Sequence, residues 1–264
     1  MKKFHLQPNA IHNGILLLVN AQHRLRDDFR PPTLVAIDPV FPDIKIALEA
    51  RNALRAVLQA INNPQPPQSA LNATTTNSAI NNPETPARII PVSGYRTLAE
   101  QQQIIADSIK ENGEEFTARY VALPNASEHQ TGLAIDLGLF TGETLDFIRP
   151  SFPRTGLCEQ FRKVAPHYGF TERYRATKQP LTGIAAEEWH FRYVGRIAAE
   201  ILAEHDWCLE ELMENLWCAK KLATKSGTLE YINADALKNP TIELSAQDFV
   251  SGDNVNGFII ARFT

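Results

Sequence analysis

Apolar side chains recur at mixed spacings of three and four through residues 43–61, DIKIALEARNALRAVLQAI, placing Ile44, Leu48, Leu54, Val57, Leu58 and Ile61 on one side. That spacing follows the 3.6-residue helical turn and predicts an amphipathic helix lying on a core. The pattern then stops. Residues 62–87 are rich in Pro, Asn, Thr and Ser and have no apolar periodicity. Such a segment cannot bury enough surface to offset its ordering entropy, so it is expected to be a mobile surface insertion. RIIPVSGY, 88–95, predicts a short buried strand. TLAE, 97–100, has the form of a capping box, with Thr97 as N-cap and Glu100 at the third helical position, and opens a helix to about residue 111. GLAIDLGLF, 132–140, alternates for part of its length and predicts a strand entered from an irregular loop.

Further on, a helix over about 157–167 is expected to end before Gly169, with a strand through FTERY and two helices over 194–205 and 209–223. Beyond about residue 222 short strand-like runs are broken by Gly, Asp and Asn. These predict a small β-rich carboxy-terminal element, with GDNVNG at 252–257 as a turn before the last strand. The chain contains no internal repeat.

With 264 residues, 44% of them hydrophobic, the protein can bury one substantial core. A net charge of -4 supplies no general basic field. Nucleic acid and anionic membrane surfaces are therefore not the expected partners, and a small polar or peptidic one fits better. Cys158, Cys208 and Cys218 have neither zinc-ribbon spacing nor an even disulfide framework and are expected to be reduced structural thiols. GILLLV, 14–19, is short for a secretory apolar region and is separated from Lys2 and Lys3 by HLQPNAIHN. No stretch approaches the roughly 20 apolar residues of a membrane span. A soluble, cytoplasmic protein is the expectation.

The candidate chemistry starts in NASEHQTGLAIDLG, 125–138. A serine-hydrolase reading of Ser127, His129 and Asp136 lacks the sharp nucleophile turn and an oxyanion turn nearby. A metal reading needs further ligands, and EEWH, 187–190, offers His190 with Glu187 three positions before it. Two histidines, one carboxylate and an open position make a catalytic zinc site, whereas closed structural sites usually use cysteines, and none lies near either segment. Glu187 is then the carboxylate free to take a proton from attacking water. Arg96, after the turn in SGYRTLAEQ, can hold a fixed cation against a carboxylate or a developing oxyanion, or else pair with acidic surface neighbours. His5, His12, His23, His167 and His205 show no ligand spacing, and Trp207 and Trp217 are expected to pack the carboxy-terminal helices.

SGYRTLAEQ, SEHQTGLAIDLG and GIAAEEWHFRYVG, in this order, resemble the LAS metallopeptidases, specifically the VanX, VanY and VanXY group of D,D-peptidases. The similarity runs from GILLLVNAQHRLRDDF through YGFTERYRATKQPLTG to the helix near 216, and GDNVNGFIIARF is similar to the extra carboxy-terminal segment of some VanXY enzymes. The resemblance implies an α+β fold: a small, mostly antiparallel central sheet flanked by helices in a catalytic domain over 1–216, with a carboxy-terminal helix plus β-rich extension over 217–264. It implies one zinc ion per chain on His129, Asp136 and His190, with Glu187 as general base and then proton donor. Arg96 would grip substrate or stabilise the tetrahedral intermediate, Gln101 and Ser127 would help hold substrate, and Trp189 would pack behind the site. The implied substrates are the D-Ala-D-Ala dipeptide and the muramyl pentapeptide precursor, as in vancomycin resistance.

Two departures stand out. Glu188 occupies the position where the family commonly has Pro in EPWH, and it is expected to face solvent because adjacent side chains diverge; the other is the insertion at 62–87. Two other readings remain open at this stage. One is a wall-lytic zinc endopeptidase cutting an L-Ala-D-Glu bond, and the other a zinc-stabilised binding module without turnover.

Overall fold

A computed structural model describes residues 1–62, 87–142, 146, 149–237 and 241–264. The expected insertion at 62–87 lies, apart from its two end residues, outside the described residues. The first half of the chain forms β1 (Lys2–His5), β2 (Leu34–Asp38), β3 (Phe41–Ala47), α1 (Leu48–Asn62), β4 (Arg88–Ser93), α2 (Leu98–Asn112), α3 (Glu114–Tyr120) and β5 (Ala134–Phe140). The second half forms α4 (Gly156–Val164), β6 (Phe170–Tyr174), α5 (Gln179–Thr182), β7 (Glu187–Tyr193), α6 (Arg196–His205) and α7 (Leu209–Ala219). Five strands close the chain: β8 (Lys221–Thr224), β9 (Gly227–Asn233), β10 (Thr241–Leu244), β11 (Phe249–Gly252) and β12 (Gly257–Phe263).

The central sheet has the order β4-β5-β7-β6 with every neighbour antiparallel, so the α+β expectation of a small antiparallel sheet flanked by helices holds. Side chains alternate across a strand. On β5, Ile135 and Leu137 go into the main core, and on β7 Phe191 does the same. Ala50, Leu54, Val57 and Ile61 of α1 and Phe161 of α4 cover this face. Phe152, Phe161 and Phe191 meet edge to face there, with ring centroids 4.8–5.7 Å apart. Asp136, His190 and Arg192 are left to the opposite face.

The helix expected over 43–61 begins only at Leu48; residues 41–47 are the second strand of the β2-β3 hairpin. Ile44 and Ile46 alternate with Asp43 and Lys45, a period of two, and β2 supplies the ladder that makes this period the stable one. Likewise the helix expected over 209–223 stops at Ala219. Lys220 takes a left-handed cap (φ 63°), and the next four residues pair with β9 as β8. The expected capping box of α2 is present: Thr97 and Glu100 exchange backbone and side-chain bonds of 2.7–3.2 Å.

A second sheet, β11-β12-β9-β8, packs through Leu229, Tyr231, Ile259 and Ala261 on α6, α7 and the buried Leu16 and Leu18. The GDNVNG turn forms as expected, because Asp253 accepts from the backbone N–H groups of Val255, Asn256 and Gly257 at 2.8–3.0 Å. β1 pairs with β10, which ties the first residues to the last forty. No helix among the described residues is long and apolar enough to cross a membrane.

Candidate metal centre

Asp136 of β5 and His190 of β7 are direct register partners on the face of the sheet turned away from the main core. His129 arrives from the short 3-10 turn Glu128–Thr131, which a left-handed Gly132 (φ 70°) ends before β5 begins. The three side chains, two of them seven residues apart and the third 54 further on, are all buried and offer ligand atoms within 4.8 Å of one another. His129 Nε2 lies 3.2 Å from Asp136 Oδ2, and His190 Nδ1 lies 3.0 Å from Asp136 Oδ1.

Measured to the two oxygens of the Asp136 carboxylate, these separations leave room for one ion to draw the three groups together. Ligand atoms bound at about 2.0–2.2 Å around a tetrahedral zinc sit roughly 3.3 Å apart, and the donor set of two imidazoles and a carboxylate is that of catalytic zinc. His129 Nδ1 is 2.6 Å from the Gly94 carbonyl. A carbonyl only accepts, so Nδ1 carries the proton and Nε2 keeps its lone pair toward Asp136. Burial, reinforced by the Arg96 guanidinium, lowers the His129 pKa to about 4 and keeps the ring neutral, as a ligand must be. Gly94 itself is required by close approach, since a Cβ there would stand 2.3 Å from the Lys45 carbonyl oxygen.

His190 is held differently. Burial works against its charge, but hydrogen bonds to Asp136 and Glu128 outweigh burial and raise its pKa to about 9 in the metal-free protein. Burial likewise pushes Asp136 up, and its two histidine partners prevail, holding it well below the usual carboxylate range. Arg96 reaches the cluster: its Nη2 is 3.0 Å from Asp136 Oδ2 and 3.1 Å from His129 Nε2, while its Nε donates to Ser93 Oγ at 3.0 Å. It is therefore not a surface arginine.

Glu187 sits at the start of β7 with Oε2 3.7 Å from His190 Nδ1 and its side chain 15% exposed. Burial raises its pKa to about 7 in the metal-free protein, with the charges of Asp136 and Glu128 adding to the rise. Its stability effect has a definite sign. Unfolded Glu187 ionises near the ordinary 4.5 and folded Glu187 near 7, so stability falls as pH rises across that window. Metal-free Glu187→Gln is accordingly expected to exceed metal-free wild type in stability at pH 8, on the order of 1–3 kcal/mol, with no advantage at pH 4. Thermal unfolding in excess chelator measures this.

Glu188 faces out as expected, 46% exposed and paired with Arg154 at 3.0 Å. Gln101 is buried beside Arg96, 3.5 Å from its Nη1, and donates to the Ala122 carbonyl. Ser127 is buried two positions before His129. Trp189 packs on the main core, behind the sheet face that carries His190.

Residues the sequence pattern did not single out lie directly beneath the cluster. Glu128 Oε2 is 3.4 Å from His190 Nε2, and its Oε1 is held by Arg173 Nε at 2.8 Å and Arg192 Nη1 at 3.1 Å. Arg173 in turn makes a bidentate pair with Glu210 of α7 at 2.6 and 2.8 Å. Arg192 also donates to the carbonyls of Ile15 and Leu17, which gives the buried GILLLV segment its polar partners. The signal in the sequence was charge on strand segments, Arg173 in FTERY and Arg192 in EEWHFRY, at positions that alternation sends to the face opposite Phe170 and Phe191, the face that carries His190.

Over residues 70–196 the chain matches the VanY family, described as D-alanyl-D-alanine carboxypeptidase. A crystal structure of the vancomycin-resistance D,D-dipeptidase VanXYg, in complex with a D-Ala-D-Ala phosphinate analogue, superposes with a TM-score of 0.81 at 38% identity, covering 100% of this chain and 99% of that one. The chain belongs to the VanY family. Among its VanY-family relatives, the bifunctional D-Ala-D-Ala dipeptidase and carboxypeptidase VanXYC of Enterococcus gallinarum is 46% identical over 125 residues, 47% of this chain and 66% of that protein. A VanY D,D-pentapeptidase from a VanB-type resistance cassette, solved with Zn(II), has a TM-score of 0.57 at 25% identity, covering 75% of this chain and 98% of that one. These VanY-family relatives are peptidases, and the buried cluster with its adjacent carboxylate fits that class of hydrolase.

Proposed function

We propose that this chain is a zinc-dependent D,D-peptidase that hydrolyses the D-Ala-D-Ala bond, both in the free dipeptide and at the end of the muramyl pentapeptide precursor, as in glycopeptide resistance. The observation that carries the reading is Glu187 beside, but not among, the three ligand atoms of His129, Asp136 and His190. A half-buried carboxylate beside the three ligand atoms, free to face bound water, favours catalysis over a binding module. The likeness to VanXYC and VanXYg supports the bond that is cut.

His129 Nε2, Asp136 and His190 Nδ1 would hold one zinc ion per chain. Zinc bound there polarises the scissile carbonyl and lowers the pKa of the attacking water. Glu187 takes a proton from that water as its oxygen bonds to the carbonyl carbon. It then passes the proton to the leaving nitrogen as the C–N bond breaks, releasing D-alanine with a neutral amine. Arg96 stabilises the oxyanion or fixes the substrate carboxylate, and its bond to Ser93 keeps it from swinging away. Gln101 and Ser127 help seat the substrate, and Trp189 supports the strand from behind.

We assign the catalytic unit to residues 1–216 and treat 217–264 as an extension that covers α6 and α7. Three free thiols, one of them exposed, suit a reducing cytoplasmic setting, where free dipeptide and soluble precursor are met.

The test combines metal analysis with release of D-alanine. Wild type is expected to bind one zinc and to liberate D-alanine from D-Ala-D-Ala and from pentapeptide precursor. His190→Ala is expected to bind less than a tenth of an equivalent and to turn over neither substrate. Zinc-free wild type that is fully active, or loaded wild type that releases no D-alanine from either substrate, overturns the reading.

A further inference from the structure

Glu128 lies outside the ligand set and has no solvent-exposed side-chain surface, yet it is the residue beneath His190. Its side chain is fully buried, and its two oxygens are divided between different tasks. Oε1 meets Arg173 Nε at 2.8 Å and Arg192 Nη1 at 3.1 Å, while Oε2 faces His190 Nε2 at 3.4 Å. The two arginines come from neighbouring strands, β6 and β7, and Glu210 clamps Arg173 from α7 through two bonds of 2.6 and 2.8 Å. Asn20 donates to the same Glu210 at 3.1 Å. The carboxylate is thus fixed in place by groups from four separate parts of the chain.

Paired with two guanidiniums, Glu128 is an acceptor only. In the metal-free protein each imidazole nitrogen faces a carboxylate, Nδ1 that of Asp136 at 3.0 Å and Nε2 that of Glu128 at 3.4 Å, and of the two only Asp136 belongs to the ligand set. Tyr174, with its ring centroid 4.7 Å from that of His190, limits rotation of the imidazole on another side. We propose that Glu128 is a positioning residue for the metal centre: it keeps hydrogen on His190 Nε2, so that Nδ1 is the nitrogen that gives up its hydrogen and turns a lone pair to an incoming metal ion, and Arg173, Arg192 and Glu210 hold Glu128 there. Carboxylates placed behind ligating histidines fix the tautomer and the ring angle, and their loss typically costs about 10- to 100-fold in metal affinity. Through Glu210 the same chain links the ligand to α7, on which the second sheet packs.

This inference rests on the metal reading given above. Zinc affinity is measured by chelator competition on the full-length protein. Glu128→Gln keeps the side-chain shape and an acceptor oxygen but loses the charge, and zinc binding is expected to weaken about 10- to 100-fold while metal-free circular dichroism stays native. Unchanged zinc affinity in a folded Glu128→Gln protein overturns the proposal. Should that variant not fold, wild-type protein labelled with ¹⁵N-histidine and loaded with ¹¹³Cd decides. Cadmium coupling to His190 Nδ1 with a proton on Nε2 supports the assignment, and coupling to Nε2 overturns it. Wild type that takes up neither zinc nor cadmium defeats the metal reading itself, whereas tight binding unaffected by Glu128→Gln defeats this inference alone.

Discussion

Glu187→Gln is expected to lower kcat for D-Ala-D-Ala by at least about 100-fold and by as much as about 10,000-fold, the range that a positioned acid-base group supplies. Zinc is expected to stay bound, because the proposed ligand atoms belong to His129, Asp136 and His190 and the glutamate oxygen stands 3.7 Å from His190 Nδ1. Glutamine fills the same space and still accepts a hydrogen bond, yet it cannot take the proton of the attacking water. The measurement is steady-state release of D-alanine alongside zinc content of the same preparation. A glutamine variant with wild-type kcat removes Glu187 from the chemistry; one that loses its metal moves Glu187 into the ligand set. Comparison with His190→Ala separates proton transfer from metal binding, since that variant loses both.

The largest effect on folding is expected from Arg173→Ala. Arg173 is 1% exposed and joins Glu128 to Glu210 through bonds of 2.6–2.8 Å. Truncation leaves Glu210 with Asn20 and a backbone N–H and Glu128 with Arg192 and His190, so buried negative charge loses its main partner. Breaking one side of a buried ion pair costs about 3–5 kcal/mol. For a chain of this size that is a fall in Tm of roughly 6–20 °C, if about 2–4 °C accompanies each kcal/mol. Arg154, by contrast, bridges Glu172 and Glu188 at the surface and is 49% exposed, so Arg154→Ala is a suitable comparison with a loss of about 1 kcal/mol or less. Equal Tm values for the two variants would show that the buried network carries no particular share of the stability.

The amino-acid sequence by itself determined the elements whose signal is local. The capping box at Thr97, the helix of 98–112, the strand holding Asp136 and the GDNVNG turn each follow from residues within a few positions of one another. The identities of His129, Asp136, Glu187 and His190 as candidates also came from the chain, through residue type, spacing and a family resemblance. Tertiary structure decided the rest. Ile44 and Ile46 satisfy a helical and a strand period equally well over so short a run, and only the ladder with Leu34–Asp38 selects the strand. KKLA at 220–223 continues a helical pattern, and pairing with β9 converts it. Glu128 is the sharpest case: its neighbour in sequence is a proposed ligand, but its surroundings come from arginines 45 and 64 positions away, whose approach no local pattern encodes. Charge is long-ranged in a dry interior while propensity is local, so a sequence names the groups that can ionise, and the packed fold chooses which of them face each other without water between.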